Sequence, residues 1–215
     1  LPGHDHVTVS GIGYTAEGQF LINDQPVNAQ QDPALARFLI AMALSTNANL
    51  ENGGNNGSYN IIGDTTEGAL LIAAQKVGWT RSHLEKDFPR VSEIPFSSER
   101  KAMTTIHRLQ NAEAQSVFCQ SGHIAITKGA PDRLVEWASH EHTPQGPEPL
   151  TPERRQKWME EVDKMAAQGL RVLGVAYRPL DEVPDEPKAE AIERSLHMVG
   201  LVGIVDPARP EAKEA

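Results

Sequence analysis

The chain is poor in cysteine and in long apolar runs, and both absences limit the classes of protein to which it can belong. Its single cysteine, Cys119, cannot form an internal disulfide, which fits a reducing compartment. No stretch approaches the ~20 apolar residues that cross a bilayer, and residues 1–6 have neither the basic nor the apolar segment of a signal peptide. We therefore expect a soluble, cytosolic body that makes no direct contact with a membrane.

Basic residues are scarce too. The chain has 20 lysines and arginines against 29 aspartates and glutamates, which gives a formal net charge of −9. Its overall field repels nucleic acid, so no nucleic-acid partner is expected and any anion site must be locally basic. Glycine-rich phosphate loops are also missing, because Gly11-Ile12-Gly13 lacks a third glycine and a following helix. The phosphates of a bound nucleotide would then be held by side chains alone.

Apolar periodicity and turn residues predict an α+β fold with a mainly antiparallel β-sheet flanked by helices. The predicted helices cover 33–44, 64–77, 82–87, 131–137 and 152–168. The predicted strands cover 7–13, 19–23, 91–96, 101–109, 115–120, 123–128, 170–177 and 198–205, with surface loops at 46–60 and 139–150. Residues 1–205 are predicted to form one domain. Residues 206–215 are predicted to be a hinge or linker, because their prolines disfavour both strand and helix.

Three segments that lie far apart in the sequence offer groups that suit a nucleotide. Lys128 ends an alternating apolar stretch and is followed by Gly129, which is too small to block a flat ligand. Glu67 supplies a carboxylate, and Phe96 supplies a ring with Lys101 five residues after it. Aromatic rings stack on bases, and ammonium groups pair with phosphates. Together these residues predict a site for adenine and its phosphates.

Each of these residues also has a purely structural interpretation. Phe96 could belong to the core, because it ends an apolar run. Glu67 could complete a capping box with Asp64, and its two oxygens allow it to do this and to bind adenine as well. Lys128 could be an ordinary lysine at the end of a strand. Cys119 is interpreted as a small core residue on the strand predicted at 115–120.

Two basic residues leave further alternatives open. Arg100 could point to the ligand while Lys101 faces solvent, or the reverse, because neighbours on a strand point to opposite faces. Arg171 could bind the nucleotide, or it could pair with Glu160 or Asp163 on the preceding helix.

Six motifs, in this order, resemble the nucleotide-binding domain of P-type cation-transporting ATPases, and together they cover essentially the whole chain. The motifs are Gly11-Ile12-Gly13-Tyr14 with Gly18, Gly63-Asp64-Thr65-Thr66-Glu67, Phe96-Ser97-Ser98-Glu99-Arg100-Lys101-Ala102-Met103, Lys128-Gly129-Ala130-Pro131-Asp132, Gly169-Leu170-Arg171-Val172-Leu173, and Asp206-Pro207-Ala208-Arg209-Pro210-Glu211. The segment from phenylalanine to lysine is more similar to type II calcium pumps than to proton pumps.

The resemblance implies a nucleotide site with assigned roles. Phe96 would stack on adenine and Lys128 would lie at the bottom of the pocket. The remaining residues of the implied site are Glu67, Lys101, Gly129, Arg171 and Leu173, with Leu173 against the base. Asp206 and Arg209 would belong to the hinge towards the phosphorylation domain. Calcium pumps of the family often place a basic residue where this chain has Ser98, so the phosphate contact expected there is weakened.

The resemblance also implies parts that the sequence does not contain. The family's phosphorylated aspartate in Asp-Lys-Thr-Gly-Thr, its actuator loop and its membrane helices do not occur here. The implied role is therefore that of a cytoplasmic domain of an integral membrane protein, which binds ATP and delivers the γ-phosphate to an aspartate on a separate domain. Its partners would be ATP and the phosphorylation and actuator domains of the same polypeptide. Magnesium is expected only in the full-length pump, and no catalytic or metal-binding residue is expected in this chain.

Two other functions remain as alternatives. One is a nucleotide-independent protein-interaction module that uses the acidic surface and the loop at 46–60. The other is a small hydrolase in which Asp64 acts with His107 or His123. The close pair His140 and His142 lacks the spacing of a zinc site, so the histidines are predicted to be solvated.

Overall fold

The computed structural model describes residues 1–4, 6–53 and 57–205, and its elements occur in the following order. The helices are α1 (Pro33–Leu44), α2 (Thr65–Gln75), α3 (Arg81–Asp87), α4 (Ala112–Phe118), α5 (Pro131–Trp137), α6 (Pro152–Ala167) and α7 (Ala189–Ile192). The strands are β1 (Thr8–Val9), β2 (Phe20–Ile22), β3 (Gln25–Val27), β4 (Asn49–Asn52), β5 (Tyr59–Ile62), β6 (Arg90–Ser97), β7 (Ala102–Arg108), β8 (His123–Gly129), β9 (Ala138–Thr143), β10 (Gly146–Pro149), β11 (Arg171–Leu180) and β12 (Leu196–Ile204). The predicted hinge residues Asp206 and Arg209 lie outside the described residues.

A seven-stranded sheet forms the centre of the fold, in the order β10-β9-β12-β11-β8-β7-β6. All of its neighbouring strands are antiparallel except β12 and β9, which are parallel. Two small antiparallel sheets, β1-β2-β3 and β4-β5, lie outside it. The predicted α+β class with a mainly antiparallel sheet is therefore confirmed.

Helices cover both faces of the main sheet. On one face, α1 packs against β8, β11 and β12, and α2 and α3 pack against α1. The core of this face includes Leu39, Ile126 and Val175. On the other face, α5 packs against the same three strands and α6 packs on α5, around a second cluster that includes Leu134 and Trp158. Side chains alternate along a strand, so β11 and β12 contribute buried residues to both clusters.

Helix α1 begins and ends as its sequence predicts. The Asp32 side chain accepts hydrogen bonds from the backbone N–H groups of Ala34 and Leu35, and Pro33 occupies the first helical position. The helix is apolar on nearly all sides because it is buried between the sheet and the helices α2 and α3. After Leu44 the chain turns into residues 45–47, which form one edge of the site described below.

Residues 7–13, predicted as a strand, form one only at Thr8–Val9, and three further segments also differ from their predicted structure. Residues 115–120, predicted as a strand, belong mostly to α4, because the Asn111 side chain caps that helix at Ala114 N. Cys119 is consequently the half-buried residue after the helix and not a strand residue. The predicted loops at 46–60 and 139–150 contain the hairpins β4–β5 and β9–β10. These strands are rich in polar residues, so apolar alternation could not reveal them.

The prediction that the histidines are solvated is wrong for several of them. His107 is buried and contacts the Phe88 carbonyl and the Thr105 hydroxyl, each at 2.9 Å. His142 is buried with its Nδ1 2.5 Å from the hydroxyl of Tyr177. Burial lowers the pKa of His107, His142 and His197 to about 4. His107 and His142 are thus buried in the interior, and His197 is half-buried.

We predict that the domain loses stability as the pH falls from about 6.5 to about 4. The pKa of His107 is about 4 in the folded chain against an ordinary value of 6.5, so the unfolded chain binds more protons in this window. The loss should be on the order of 1–2 kcal/mol for His107 at pH 5 relative to pH 7.5, measured by urea unfolding. His107→Gln should flatten this dependence, whereas His83→Gln, at an exposed position of α3, should not. If the unfolding free energy depended equally on pH in both variants, the lowered pKa would be wrongly assigned to His107.

Candidate nucleotide site

The candidate site lies where the end of β8 meets the start of α2 and the chain that follows α1. Strand register places Lys128 of β8 between Met103 of β7 and Val175 of β11. Leu173 lies two residues before Val175, so it shares the same face of the sheet and is half-buried there. The sheet thus brings together on one face residues that are far apart in the sequence.

Lys128 and Glu67 form an ion pair. The Lys128 ammonium lies 2.6 Å from Glu67 Oε1, donates to the Ser45 carbonyl and is 3.4 Å from the sulfur of Met103. Only 8% of Lys128 is exposed, and burial lowers its pKa, while the Glu67 carboxylate acts in the opposite direction. The lysine is therefore not an ordinary surface lysine at the end of a strand.

Glu67 joins two parts of the chain as well as pairing with Lys128. Its Oε2 accepts hydrogen bonds from the backbone N–H groups of Asn47, at 2.7 Å, and Ala48, at 2.9 Å. Asp64 caps α2 by accepting from Glu67 N, as predicted. The Glu67 carboxylate does not complete the predicted capping box, because it turns towards residues 47–48 and Lys128 instead.

Phe96 is 63% exposed near the end of β6, so its interpretation as a core residue is wrong. Ile94, two residues earlier, is buried. The pairing of β6 with β7 shifts register between Ile94 and Ser97, and such a bulge redirects the side chain that follows it. The irregularity leaves a large aromatic ring facing solvent at the edge of the sheet.

The turn after Phe96 separates the two basic residues that the sequence could not distinguish. Arg100 Nη1 lies 2.5 Å from Glu193 Oε1, so its guanidinium is held by an acidic partner. Lys101 is exposed, has a φ of 53°, and donates its backbone N–H to Ser97 O at 2.7 Å. Lys101 is therefore the more accessible cation of the two.

Gly129 is needed for a reason other than the predicted one. A Cβ at this position would lie 2.4 Å from Lys101 O and 2.8 Å from Ala102 Cα. The missing side chain thus allows β7 and β8 to approach each other closely, and this space is filled by the backbone of β7 and not left for a ligand ring.

Arg171 is exposed at the start of β11, and its Nη1 donates to Thr66 Oγ1 of α2 at 2.7 Å. A cavity of about 490 Å³ lies beside it, lined by parts of α2, by residues 9–14 and by the end of β12. Of the predicted site residues within the described part of the chain, this cavity includes only Arg171. The cavity therefore lies beside the candidate site and not within it.

Sequence analysis missed Arg90, which organises one wall of the site. Its guanidinium donates to the carbonyls of Leu44 and Thr46, at 2.8 and 2.6 Å, and to the side chain of Asn47 at 2.5 Å. It also pairs with Glu93 at 3.1 Å. These contacts hold residues 44–47, from which Lys128 and Glu67 receive hydrogen-bond partners. Most of its partners are backbone or lie far away in sequence, so no local signal could have identified it.

Comparison with known proteins gives the family. Residues 34–211 match the family model described as P-type ATPase, cytoplasmic domain N. The chain belongs to this family. None of the helices formed by residues 1–4, 6–53 and 57–205 is both long enough and apolar enough to cross a membrane.

Several relatives match nearly the full length of the chain. A calcium-transporting ATPase of Bacillus subtilis (strain 168) is 36% identical over 207 residues, which is 96% of this chain and 22% of that protein. A probable cation-transporting ATPase F of Mycobacterium tuberculosis is 32% identical over 213 residues, 99% of this chain and 22% of that protein. Human calcium-transporting ATPase type 2C member 1 is 31% identical over 212 residues, 98% of this chain and 20% of that protein. The chain thus spans about a fifth of the length of these relatives.

We predict that Glu67→Gln lowers the free energy of unfolding by roughly 1–3 kcal/mol. One orientation of the amide directs its NH₂ group at the Lys128 ammonium, and the other directs it at the N–H groups of Asn47 and Ala48. Either way a donor meets a donor. Glu85→Gln removes a more exposed i,i+4 partner of Arg81 and should cost less than about 0.5 kcal/mol. Equal losses for the two variants in chemical denaturation would contradict the buried-pair account.

Proposed function

We propose that this chain is the ATP-binding domain of a P-type cation pump of the calcium-pump type. In this proposal it binds adenosine and delivers the γ-phosphate to an aspartate on a separate domain of the same polypeptide. The observation that carries the proposal is an exposed Phe96 ring on the same sheet as the buried Lys128, which is paired with Glu67 of α2. The relatives are named calcium- or cation-transporting ATPases, which supports the proposal of a pump. Their names do not identify the ion that this pump would transport.

The adenosine end would supply most of the affinity. Stacking of a base on an exposed ring such as Phe96 is worth roughly 1–3 kcal/mol. Oε2 of Glu67 already accepts two hydrogen bonds, but Oε1 accepts only the one from Lys128, and its second lone pair can accept from the exocyclic amine of adenine. Leu173 would contribute apolar contact with the base. Lys128 would hold Glu67 in place and give the floor of the pocket a positive charge.

The phosphates would be held less firmly. Lys101 is exposed, and Arg171 lies across the first turn of α2, so both can reach a phosphate chain only as flexible side chains. We therefore expect a Kd for ATP of roughly 0.1 to several mM, with AMP within a few-fold of ATP.

Phosphoryl transfer would require the rest of the pump. It needs an in-line acceptor and usually magnesium, which bridges the phosphates and neutralises their developing charge. In this proposal the acceptor aspartate and magnesium act in the full-length protein, a membrane pump with this domain on its cytoplasmic side. The phosphorylation and actuator domains are the partners, and residues 206–215 form the hinge. This domain contributes by positioning the nucleotide.

We predict that Phe96→Ala reduces ATP affinity roughly tenfold, which corresponds to about 1.4 kcal/mol, because the stacking surface is lost. Isothermal titration calorimetry at millimolar ATP measures the change. The domain should remain folded, because Phe96 is 63% exposed and contributes little to the core.

Val91→Ala is the matched control for this substitution. Val91 is an exposed apolar residue of the same strand, and its truncation should leave ATP affinity unchanged. If the wild-type domain failed to bind ATP at all, the nucleotide-independent interaction module would become the better account. If Phe96→Ala bound ATP normally, the stacking role would be wrong.

We predict that the isolated chain shows no ATPase activity above background and forms no acid-stable phosphoenzyme. The small-hydrolase alternative is weakened, since Asp64 caps α2 and His107 is buried with its pKa lowered to about 4. Incubation with γ-labelled ATP followed by acid quench tests this. Label retained on the protein, or phosphate release that Asp64→Asn abolishes, would favour the hydrolase.

A further inference from the structure

A buried carboxylate contacts the turn that carries two of the candidate residues. Glu193 follows α7 and is only 5% exposed. Its Oε1 accepts from Arg100 Nη1 at 2.5 Å and from Thr104 Oγ1 at 2.8 Å, and the Thr104 hydroxyl lies 2.9 Å from that of Thr127. Its Oε2 is buried too, and has no hydrogen-bond partner among the described residues.

This is an unfavourable environment for a carboxylate. A buried charge is tolerated when an opposite charge pairs with it, and here Arg100 supplies that charge. An oxygen without a partner adds a desolvation cost. The side chain of Glu193 accepts hydrogen bonds from Thr104 of β7 and from Arg100 of the turn before that strand. The Glu193 carboxylate therefore acts on the turn between β6 and β7.

Arg100, which pairs with Glu193, also forms hydrogen bonds with residues at the start of the turn. Its Nη2 donates to the carbonyl of Pro95, the residue before Phe96, at 2.5 Å. Its backbone N–H donates to Ser97 Oγ at 3.3 Å. The next residue, Lys101, donates its own N–H to Ser97 O at 2.7 Å and so closes the turn. One arginine thus contacts the residues on both sides of the aromatic ring, the Pro95 carbonyl and the Ser97 hydroxyl.

The two candidate residues on this segment depend on the backbone for their placement. Phe96 is 63% exposed, so packing against the core does little to fix its ring. Lys101 has a φ of 53°, a left-handed conformation that residues with a side chain adopt at a cost and keep when the surroundings impose it. The contact of Arg100 with Glu193 is one of the surrounding contacts that can hold Lys101 in this conformation.

We propose that Glu193 is a positioning residue for nucleotide binding, which acts through Arg100 to fix the turn presenting Phe96 and Lys101. This inference rests on the proposed function. It assigns a binding role to a residue that lies more than ninety positions after that turn in the sequence.

The test is a double-mutant cycle of Glu193→Gln and Phe96→Ala, with ATP affinity measured by calorimetry. Glu193→Gln removes the charge that holds Arg100 and should weaken ATP binding roughly three- to tenfold. In the Phe96→Ala background it should change affinity less than about twofold, because the ring that the turn positions is gone. Arg100→Gln, which leaves the buried volume around Glu193 filled, should reproduce both results.

Glu141→Gln is the matched control. Glu141 is a mostly buried carboxylate paired with Arg154 at 2.5 Å, and it lies on β9 near the opposite edge of the sheet. Its substitution should lower stability and leave ATP affinity unchanged.

The outcomes separate this inference from the function on which it rests. If the wild-type domain binds ATP in a Phe96-dependent way and Glu193→Gln binds equally well, the positioning role is overturned and the function stands. If the effects of Glu193→Gln and Phe96→Ala add in full, Glu193 acts independently of the ring, which also overturns the role. If the wild-type domain does not bind ATP, the proposed function falls and this inference falls with it.

Discussion

The burial of the Lys128 ammonium is the constraint on which the candidate site depends. A cation at this depth is stable in its charged form only if a carboxylate neutralises it and other acceptors complete its hydrogen bonds. Glu67 meets the first requirement, and the Ser45 carbonyl meets the second. Because the same carboxylate also binds the N–H groups of Asn47 and Ala48, one ion pair joins β8, α2 and the chain after α1. The fold and the candidate site therefore share their stabilising contacts.

The candidate site consists of two parts that differ in rigidity. The part around Lys128 is buried, paired, and supported by the contacts of Arg90 with residues 44–47. The part around Phe96 is an exposed turn, held mainly through the contact of Arg100 with Glu193. The first part supplies paired charges at the floor of the site, and the second supplies an exposed aromatic ring.

The sequence predicted the parts of the fold that have strong local signals. The cap at Asp32 and its following proline located α1, and the cap at Asp64 located α2, because capping depends on neighbouring residues. Helix α4 was mistaken for a strand, since its 7 residues are too few to show a clear helical periodicity. Strand β9 was missed because its buried residues include His142, a polar side chain whose partner Tyr177 lies on another strand. Likewise, the sequence identified candidate groups for the site, but their partners come from segments distant in the chain and became visible only in three dimensions.

A backbone amide chemical-shift map during ATP titration, compared with AMP, tests the central claim most directly. The account predicts that millimolar ATP changes the amide chemical shifts around Glu67, Phe96 and Lys128, and that AMP largely reproduces these changes. No changes are expected on the α5–α6 side of the sheet around Leu134. Shifts confined to the cavity beside Arg171, or no shifts at millimolar ATP, would contradict it.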